Sequence, residues 1–479
     1  MDRPNVLFLF PEDMRADCIS AYGNPHIRTP ELDNLVNRGF SFRQNYCAGA
    51  NSGAVCVPSR AMLMTGKPWF HIDDGMTKDC IFPELMREQG YATFITGKWH
   101  NGDSSVLRGF EYGQSLFLGG MSDHTRVPVQ DISDGEFINR RFGNKFSSEL
   151  FADSAIEFLE AYNEDAPFFA YCAFTAPHDP RQPPRAYVAE YYDNPPPLPP
   201  NFSQMHEFDN GNPCATRDEE LAGWPRTESI IRDQLAEYYG MITHLDDQLG
   251  RILRSLQHSP HANNTIVILA VDHGLAIGSH GLLGKQNIYE HSMHVPLLFA
   301  GPNIPSGESH ALTYLLDVFP TICSLTGTTL PDDLFGHDLQ PIWGKKRDAV
   351  RASIFLPYRN LQRSVRNERW KLHCYPEINL RLLFDLQNDP HEMEDLANQP
   401  EHRSTVREML QLMKKCQEEF GDELPLSTSD PKSYEWEPIC KRTPDRWQPQ
   451  WIRDKYFGGS TTSEQSIKEE NAEILAYGG

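Results

Sequence analysis

The chain is short of cysteine, of basic charge and of long apolar runs, and each shortage excludes a class of protein. Ten cysteines in 479 residues fall far below the density of a disulfide-stapled scaffold. They stand at positions 18, 47, 56, 80, 172, 214, 323, 374, 416 and 440, and none form a C-x-x-C pair. The zinc-ribbon and thioredoxin-like readings therefore fail. Lys and Arg number 44 against 66 Asp and Glu, a net charge of −22. A nucleic-acid binder needs a basic surface to displace counterions from phosphates, and this surface is acidic. No run reaches the ~18 apolar residues that span a bilayer. Met1 to Phe10 runs at once into Pro11-Glu12-Asp13, too short for a secretory leader. As written the chain is expected in the cytoplasm, or in the periplasm or outside the cell if a leader has been removed.

What is present is ample core material: 39% of residues are apolar and 11% aromatic, which excludes disorder. Short, nearly continuous apolar runs at Val6–Phe10, Thr93–Thr96, Phe168–Phe174, Ile266–Val271 and Pro296–Ala300 read as strands buried on both faces of a parallel sheet. Helical patterns lie between them, one opening at Pro83 and another over Phe146–Tyr162. Thr227 is placed to cap a long helix whose apolar face runs from Ile230 to Leu253 at spacings of three and four. Alternating strands and helices predict an α/β fold with a large, mostly parallel central sheet. After about Lys345 short strands at Arg351–Pro357, Ser364–Arg366 and Trp370–Tyr375, then a helix over Glu401–Phe420, predict a smaller C-terminal α+β subdomain with a short antiparallel sheet. The division is residues 1–345 and 346–479. The stretch 179–226, with Pro195-Pro196-Pro197 and Pro199-Pro200 and little periodicity, reads as a long insertion that shapes a pocket or as a surface excursion. The last stretch, with Trp436, Trp447 and Trp451 among charges, wraps the body or reaches toward a partner.

Four of the strands run directly into ionisable residues. They deliver Glu12 and Asp13, Lys98 and His100, His178 and Asp179, and Asp272 and His273. In open α/β sheets the ligand lies beyond the carboxyl ends of the strands, so one sheet edge collects carboxylates, imidazoles and an ammonium. Pro58 stands where a helix would start and Gly66 where it would stop. Cys56 is therefore placed at a helix N-terminus, where the backbone dipole favours a thiolate.

The run Cys56-Val57-Pro58-Ser59-Arg60-Ala61-Met62-Leu63-Met64-Thr65-Gly66 resembles the type I sulfatase motif C-x-P-S-R-x-x-x-L-T-G, with Met64 in place of the usual Leu. Gly90-Tyr91-Ala92-Thr93-Phe94-Ile95-Thr96-Gly97-Lys98-Trp99-His100 resembles the second motif of that family. The likeness continues through Asn5–Asp13, Ala176-Pro177-His178, Val271-Asp272-His273-Gly274, Gly284-Lys285 and Tyr289-Glu290 to about Ala397. It implies the alkaline phosphatase-like fold and a hydrolase in which Cys56 is oxidised to formylglycine by a maturation enzyme. The hydrated aldehyde would attack sulfur to give a covalent sulfated intermediate, and its second hydroxyl would expel sulfate. By resemblance Glu12, Asp13, Asp272 and His273, with residue 56, are metal ligands, and an oxygen-rich set favours calcium, with magnesium or manganese as alternatives. Arg60 and Lys98 would neutralise negative charge, His100 would take a proton as the intermediate breaks down, His178 would protonate the leaving alcohol, and Lys285 would hold a sulfate oxygen. The chain departs from the pattern at Glu12, normally Asp, at His273, often Asn, and at His294, commonly Arg.

The expected activity is hydrolysis of a sulfated carbohydrate or small organic sulfate. The alternatives are a formylglycine-dependent phosphonate monoester hydrolase or phosphodiesterase, which His273 favours, and a non-catalytic binder of sulfated ligands. Neither a nucleic acid nor a membrane is an expected partner. The excess of acid points to a short or lightly sulfated substrate, and Arg181 and Arg185 are the expected specificity residues. Oligomeric state is not legible in the sequence.

Overall fold

The computed structural model describes residues 3–211, 216–435, 445 and 448–457. The larger sheet holds ten strands: β1 (Asn5–Phe10), β2 (Phe40–Tyr46), β3 (Ala92–Lys98), β4 (Tyr112–Phe117), β5 (Pro128–Ser133), β6 (Glu136–Phe142), β7 (Phe168–Ala173), β8 (Thr265–Ala270), β9 (Leu297–Ala300) and β10 (Gly307–Tyr314). Their order is β10-β2-β9-β8-β1-β7-β3-β4-β5-β6. The run from β8 to β4 is parallel. The flanks are mixed, because β9 runs antiparallel to both its neighbours and β5 runs antiparallel to β4 and β6. The expected mostly parallel sheet is parallel through its centre and again at the edge pair of β10 and β2, with antiparallel pairings between. The apolar run at Pro296–Ala300 reports burial on both faces, which an antiparallel strand inside a covered sheet shares.

Strands β1, β7 and β8 are buried along their whole length. The helices Ser147–Ala161 and Arg185–Asp193 pack on the long helix Glu228–His258, and Cys56–Thr65 packs with Phe82–Glu88 and Val318–Thr326. Thr227 caps the long helix as expected, its side chain accepting from the Ile230 N–H at 3.3 Å. The segment 179–226 is less irregular than its prolines suggest, since it contains the helix Arg185–Asp193 and a 3-10 turn at Arg217–Leu221. Among the described residues no helix is long and apolar enough to cross a membrane, and the eight described cysteines are all free.

The smaller sheet is antiparallel, in the order β11 (Ile354–Tyr358), β12 (Gln362–Arg366), β13 (Trp370–Tyr375) and β14 (Leu380–Asp385). The helix Arg403–Phe420 covers it. A buried ion network binds it to the larger sheet. Lys371 Nζ of β13 lies 2.8 Å from Glu290 and 2.8 Å from Glu392, and Arg366 and Tyr46 meet the same Glu290. Trp436 and Trp447 lie outside the described residues.

Candidate active site

The four strands whose ends carry ionisable residues are adjacent in the sheet, in the order β8-β1-β7-β3, so adjacency gathers their side chains on one crest. Glu12 and Asp13 follow β1, Asp272 and His273 follow β8, His178 follows β7, and Lys98 closes β3. Asp13 and His100 adopt left-handed backbone, with φ of 54° and 71°, a conformation that concentrates at functional sites. Gly97, at φ 88°, sits where a Cβ would lie 1.7 Å from the Ala173 carbonyl oxygen. Only glycine fits there, and the register shift it allows between β3 and β4 precedes Lys98.

Cys56 is the first residue of the helix Cys56–Thr65, so Pro58 is its third residue rather than its first, and Gly66 ends it in left-handed backbone at φ 67°. The N-terminal placement expected for Cys56 stands. Its Sγ lies 3.3 Å from His100 Nδ1 and 3.9 Å from Lys98 Nζ. Burial would raise the thiol, but Lys98 and His100 outweigh it and hold Cys56 well below the ordinary thiol value. The buried Arg60 guanidinium donates to the Lys98 carbonyl at 3.0 Å, lies 3.4 Å from Asp272 and covers the Phe10 ring. Ser59 donates to the Asp272 carbonyl at 2.7 Å, tying the cysteine helix to the end of β8.

The acidic and basic groups interlock. Lys98 donates to Glu12, and Lys285 donates to Asp13 at 2.9 Å. Burial still pushes Glu12 up to about 8, with Asp272 adding to the rise against Lys98. His273 Nδ1 is 3.2 Å from Asp13, and Asp272 raises the imidazole against the effect of burial. His178 Nδ1 meets its neighbour's carbonyl, Asp179 O, at 2.7 Å, while Nε2 lies 4.0 Å from Asp13. Burial and Lys285 push His178 down to about 3.

The donor set fits a hard divalent cation. Ligand atoms of Glu12, Asp13 and His178, and again of Asp13, Asp272 and His273, lie within 4.8 Å of one another. Glu12 Oε2, Asp272 Oδ2 and His273 Nε2 are buried without a hydrogen-bond partner. Orphaned buried acceptors of this kind need a counter-charge. All the expected ligand and catalytic residues therefore converge, and His178 joins the ligand-type cluster as well.

Other residues of the site carry only a weak sequence signal. Arg217, in the 3-10 turn of the insertion, bridges Asp179 and Asp218 at 2.7 and 2.8 Å. Glu219 accepts from the backbone N–H groups of Leu283 and Gly284, just before Lys285. The acidic run Asp218-Glu219-Glu220 beside Arg217 was the only cue. Arg181, expected in specificity, is buried and donates to Gln234 of the long helix, and Arg185 is exposed at the start of its helix.

Comparison with known proteins agrees with this geometry. The sequence profile of the sulfatase family matches residues 4–328, and the profile described as N-sulphoglucosamine sulphohydrolase, C-terminal, matches residues 278–419. The chain belongs to the sulfatase family and is a sulfuric ester hydrolase. Membership implies a formylglycine and a divalent metal ion. An N-acetylglucosamine-6-O-sulfatase of Bacteroides thetaiotaomicron is 25% identical over 88% of each chain. A structure described as in complex with its substrate D-glucosamine-2-N,6-O-disulfate superposes with a TM-score of 0.76 at 23% identity, over 89% of this chain and 99% of that one. A phosphonate monoester hydrolase of Agrobacterium radiobacter shares the fold at a TM-score of 0.72 and 22% identity, over 87% and 96%.

Proposed function

We propose that the protein releases sulfate from the end of a short sulfated carbohydrate. Residue 56 is the nucleophile after conversion to formylglycine by a maturation enzyme that reads Cys56-Val57-Pro58-Ser59-Arg60, and Glu12, Asp13, Asp272 and His273 hold calcium. The observation that carries this reading is the buried Cys56 at a helix N-terminus, with His100 at 3.3 Å, beside clustered hard-metal donors. When bound, the cation supplies Lewis-acid polarisation of the sulfate oxygens and formylglycine supplies a hydrated aldehyde with two hydroxyls. Three carboxylates favour calcium, and the His273 nitrogen keeps magnesium and manganese as alternatives.

The chain's own groups divide the remaining work. His100 Nδ1 is placed to take a proton from residue 56. Arg60 and Lys98 hold positive charge on that side, and Lys285 holds it toward Asp13 for a sulfate oxygen. With Nδ1 of His178 donating to the Asp179 carbonyl, Nε2 is the end that faces the leaving oxygen. The arriving sulfate adds negative charge to that of Asp13 and Asp179, which favours the imidazolium that protonates the alcohol. The carbohydrate assignment draws support from the relative named for N-acetylglucosamine 6-O-sulfate. A net charge of −22 disfavours a long polyanion lying across the surface, which supports terminal attack.

The test is sulfate release from defined sulfated mono- and oligosaccharides by protein whose formylglycine is confirmed by mass spectrometry, with Cys56→Ala as the blank. No release from any sulfate ester sinks the proposal, and faster turnover of an aryl phosphodiester than of an aryl sulfate transfers it to the phosphonate and phosphodiester class.

A further inference from the structure

The far C-terminal segment reaches the buried charges behind His178. Arg217 grips Asp179 as a fork, Nη1 to Oδ2 at 2.7 Å and Nη2 to Oδ1 at 2.9 Å. Nη2 also donates to Asp218 at 2.8 Å. His178 Nδ1, which donates to the Asp179 carbonyl at 2.7 Å, also lies 3.3 Å from Asp179 Oδ1, and Asp218 Oδ2 lies 3.9 Å from Lys285 Nζ. One guanidinium thus links the two side chains assigned to the sulfate and its leaving oxygen. Two residues more than two hundred positions away complete the arrangement. Asp445 Oδ2 accepts from Arg217 Nη1 at 2.7 Å, and Gln448 Nε2 donates to Asp179 Oδ2 at 2.6 Å and to Asp445 at 3.3 Å.

Both residues are 4% exposed, so both are desolvated to make these bonds. A segment that merely covered surface would do so with apolar side chains, because burying a carboxylate and an amide without purpose is unfavourable. The helix that follows, Gln450–Phe457, is pinned to the long helix by Lys455, 2.5 Å from Asp233 and 2.8 Å from Glu237, and by Tyr456 to Asp233. The anchor fixes where Asp445 and Gln448 stand.

We propose that Asp445 and Gln448, acting with Arg217, are positioning residues for sulfate ester cleavage: the C-terminal segment locks the Asp179 carboxylate, and Asp179 holds the His178 ring toward the leaving oxygen. The inference rests on the reading that His178 serves that oxygen. A sugar alkoxide needs a proton to depart, whereas nitrophenolate does not, so a positioning role shows as a dependence on leaving group that a structural role lacks.

The experiment compares kcat and KM on a sugar sulfate and on 4-nitrophenyl sulfate for full-length, formylglycine-containing Gln448→Leu, Asp445→Asn and His178→Gln. His178→Gln is expected to lose about 100-fold or more in kcat on the sugar sulfate and far less on the aryl ester. Gln448→Leu and Asp445→Asn are expected to show the same pattern at about tenfold, with KM within about twofold. Equal losses on both esters, or unchanged turnover of the sugar sulfate, overturn the positioning role. A uniform loss in His178→Gln overturns the underlying reading of His178 instead. If Asp445→Asn does not fold, Gln448→Leu, which leaves every charge in place, decides alone.

Discussion

Glu219 is the strongest mechanical test of how the insertion serves the site. Its carboxylate accepts from Leu283 N at 3.1 Å, from Gly284 N at 2.9 Å and from Arg226 Nη2 at 2.6 Å. Arg226 is fully buried and stacked on Trp224 at 3.9 Å, and Glu219 is its only ion-pair partner among the described residues. Removing one partner of a buried pair leaves an uncompensated charge, at a cost of about 3–5 kcal/mol, and each orphaned backbone N–H adds about 1–3 kcal/mol before relaxation. Glu219→Ala should therefore lose at least about 4 kcal/mol in urea unfolding. Because Lys285 directly follows the two braced amides, the same change should lower kcat by about tenfold or more. The double variant Glu219→Leu, Arg226→Met removes both charges and should be more stable than the sum of its singles by about 2 kcal/mol or more. A loss below about 1 kcal/mol for Glu219→Ala, or additivity within about 0.5 kcal/mol, would refute the reasoning.

The seam between the two sheets should be acid-sensitive. Against burial, Lys371 and Arg366 hold Glu290 well below the ordinary carboxylate range, and Lys371 lowers Glu392 as well. Groups depressed in the folded state stabilise it above their unfolded value and lose that contribution as pH falls through the folded one. Melting temperature should drop from about pH 5 to about pH 3, and Glu290→Gln, less stable at neutral pH, should drop less over the same interval; parallel slopes would exclude Glu290 as a cause. Calcium should raise the melting temperature, by the equivalent of about 2.7 kcal/mol at a hundredfold excess over Kd, and a chelator should reverse it. Asp272→Asn should abolish the shift, and a shift retained in that variant would place the ion elsewhere.

The crest of the site was legible because two signals coincide there. The apolar runs of β1, β3, β7 and β8 mark buried strands, and each hands directly to an ionisable residue. The flanking strands gave no such signal. Strand β6 reads Glu136-Phe137-Ile138-Asn139-Arg140-Arg141-Phe142 and is largely exposed, so no apolar run announces it, and it pairs because β5 offers an edge. Sheet order is illegible for the same reason that Pro296–Ala300 reads as a strand of a parallel sheet: a short apolar strand records burial but not direction. Arg217 was illegible for a deeper reason. Its partners Asp179, Asp218 and Asp445 come from the end of β7, the insertion and the C-terminal segment, and no local spacing encodes that meeting. Tryptophans mark the C-terminal stretch in the sequence, yet Trp451 is 48% exposed, and among the described residues of that stretch the contacts to the site come from Asp445 and Gln448.

The apparent conflict between an acidic protein and an anionic substrate dissolves at the scale of the site. Surface charges are screened beyond about 8 Å at physiological salt, whereas buried neighbours are not. Inside, the carboxylates of Glu12, Asp13, Asp179, Asp218, Asp272 and Asp445 face the cations of Lys98, Arg60, Lys285 and Arg217, all but Arg217 nearly inaccessible to water. Six against four leaves two negative charges when all are ionised, and Glu12, pushed up to about 8 by burial, resists ionising without help. A divalent cation would supply that help and balance the two charges, so that an arriving anion meets Lys98, Arg60 and Lys285 at short range rather than an uncompensated excess of acid.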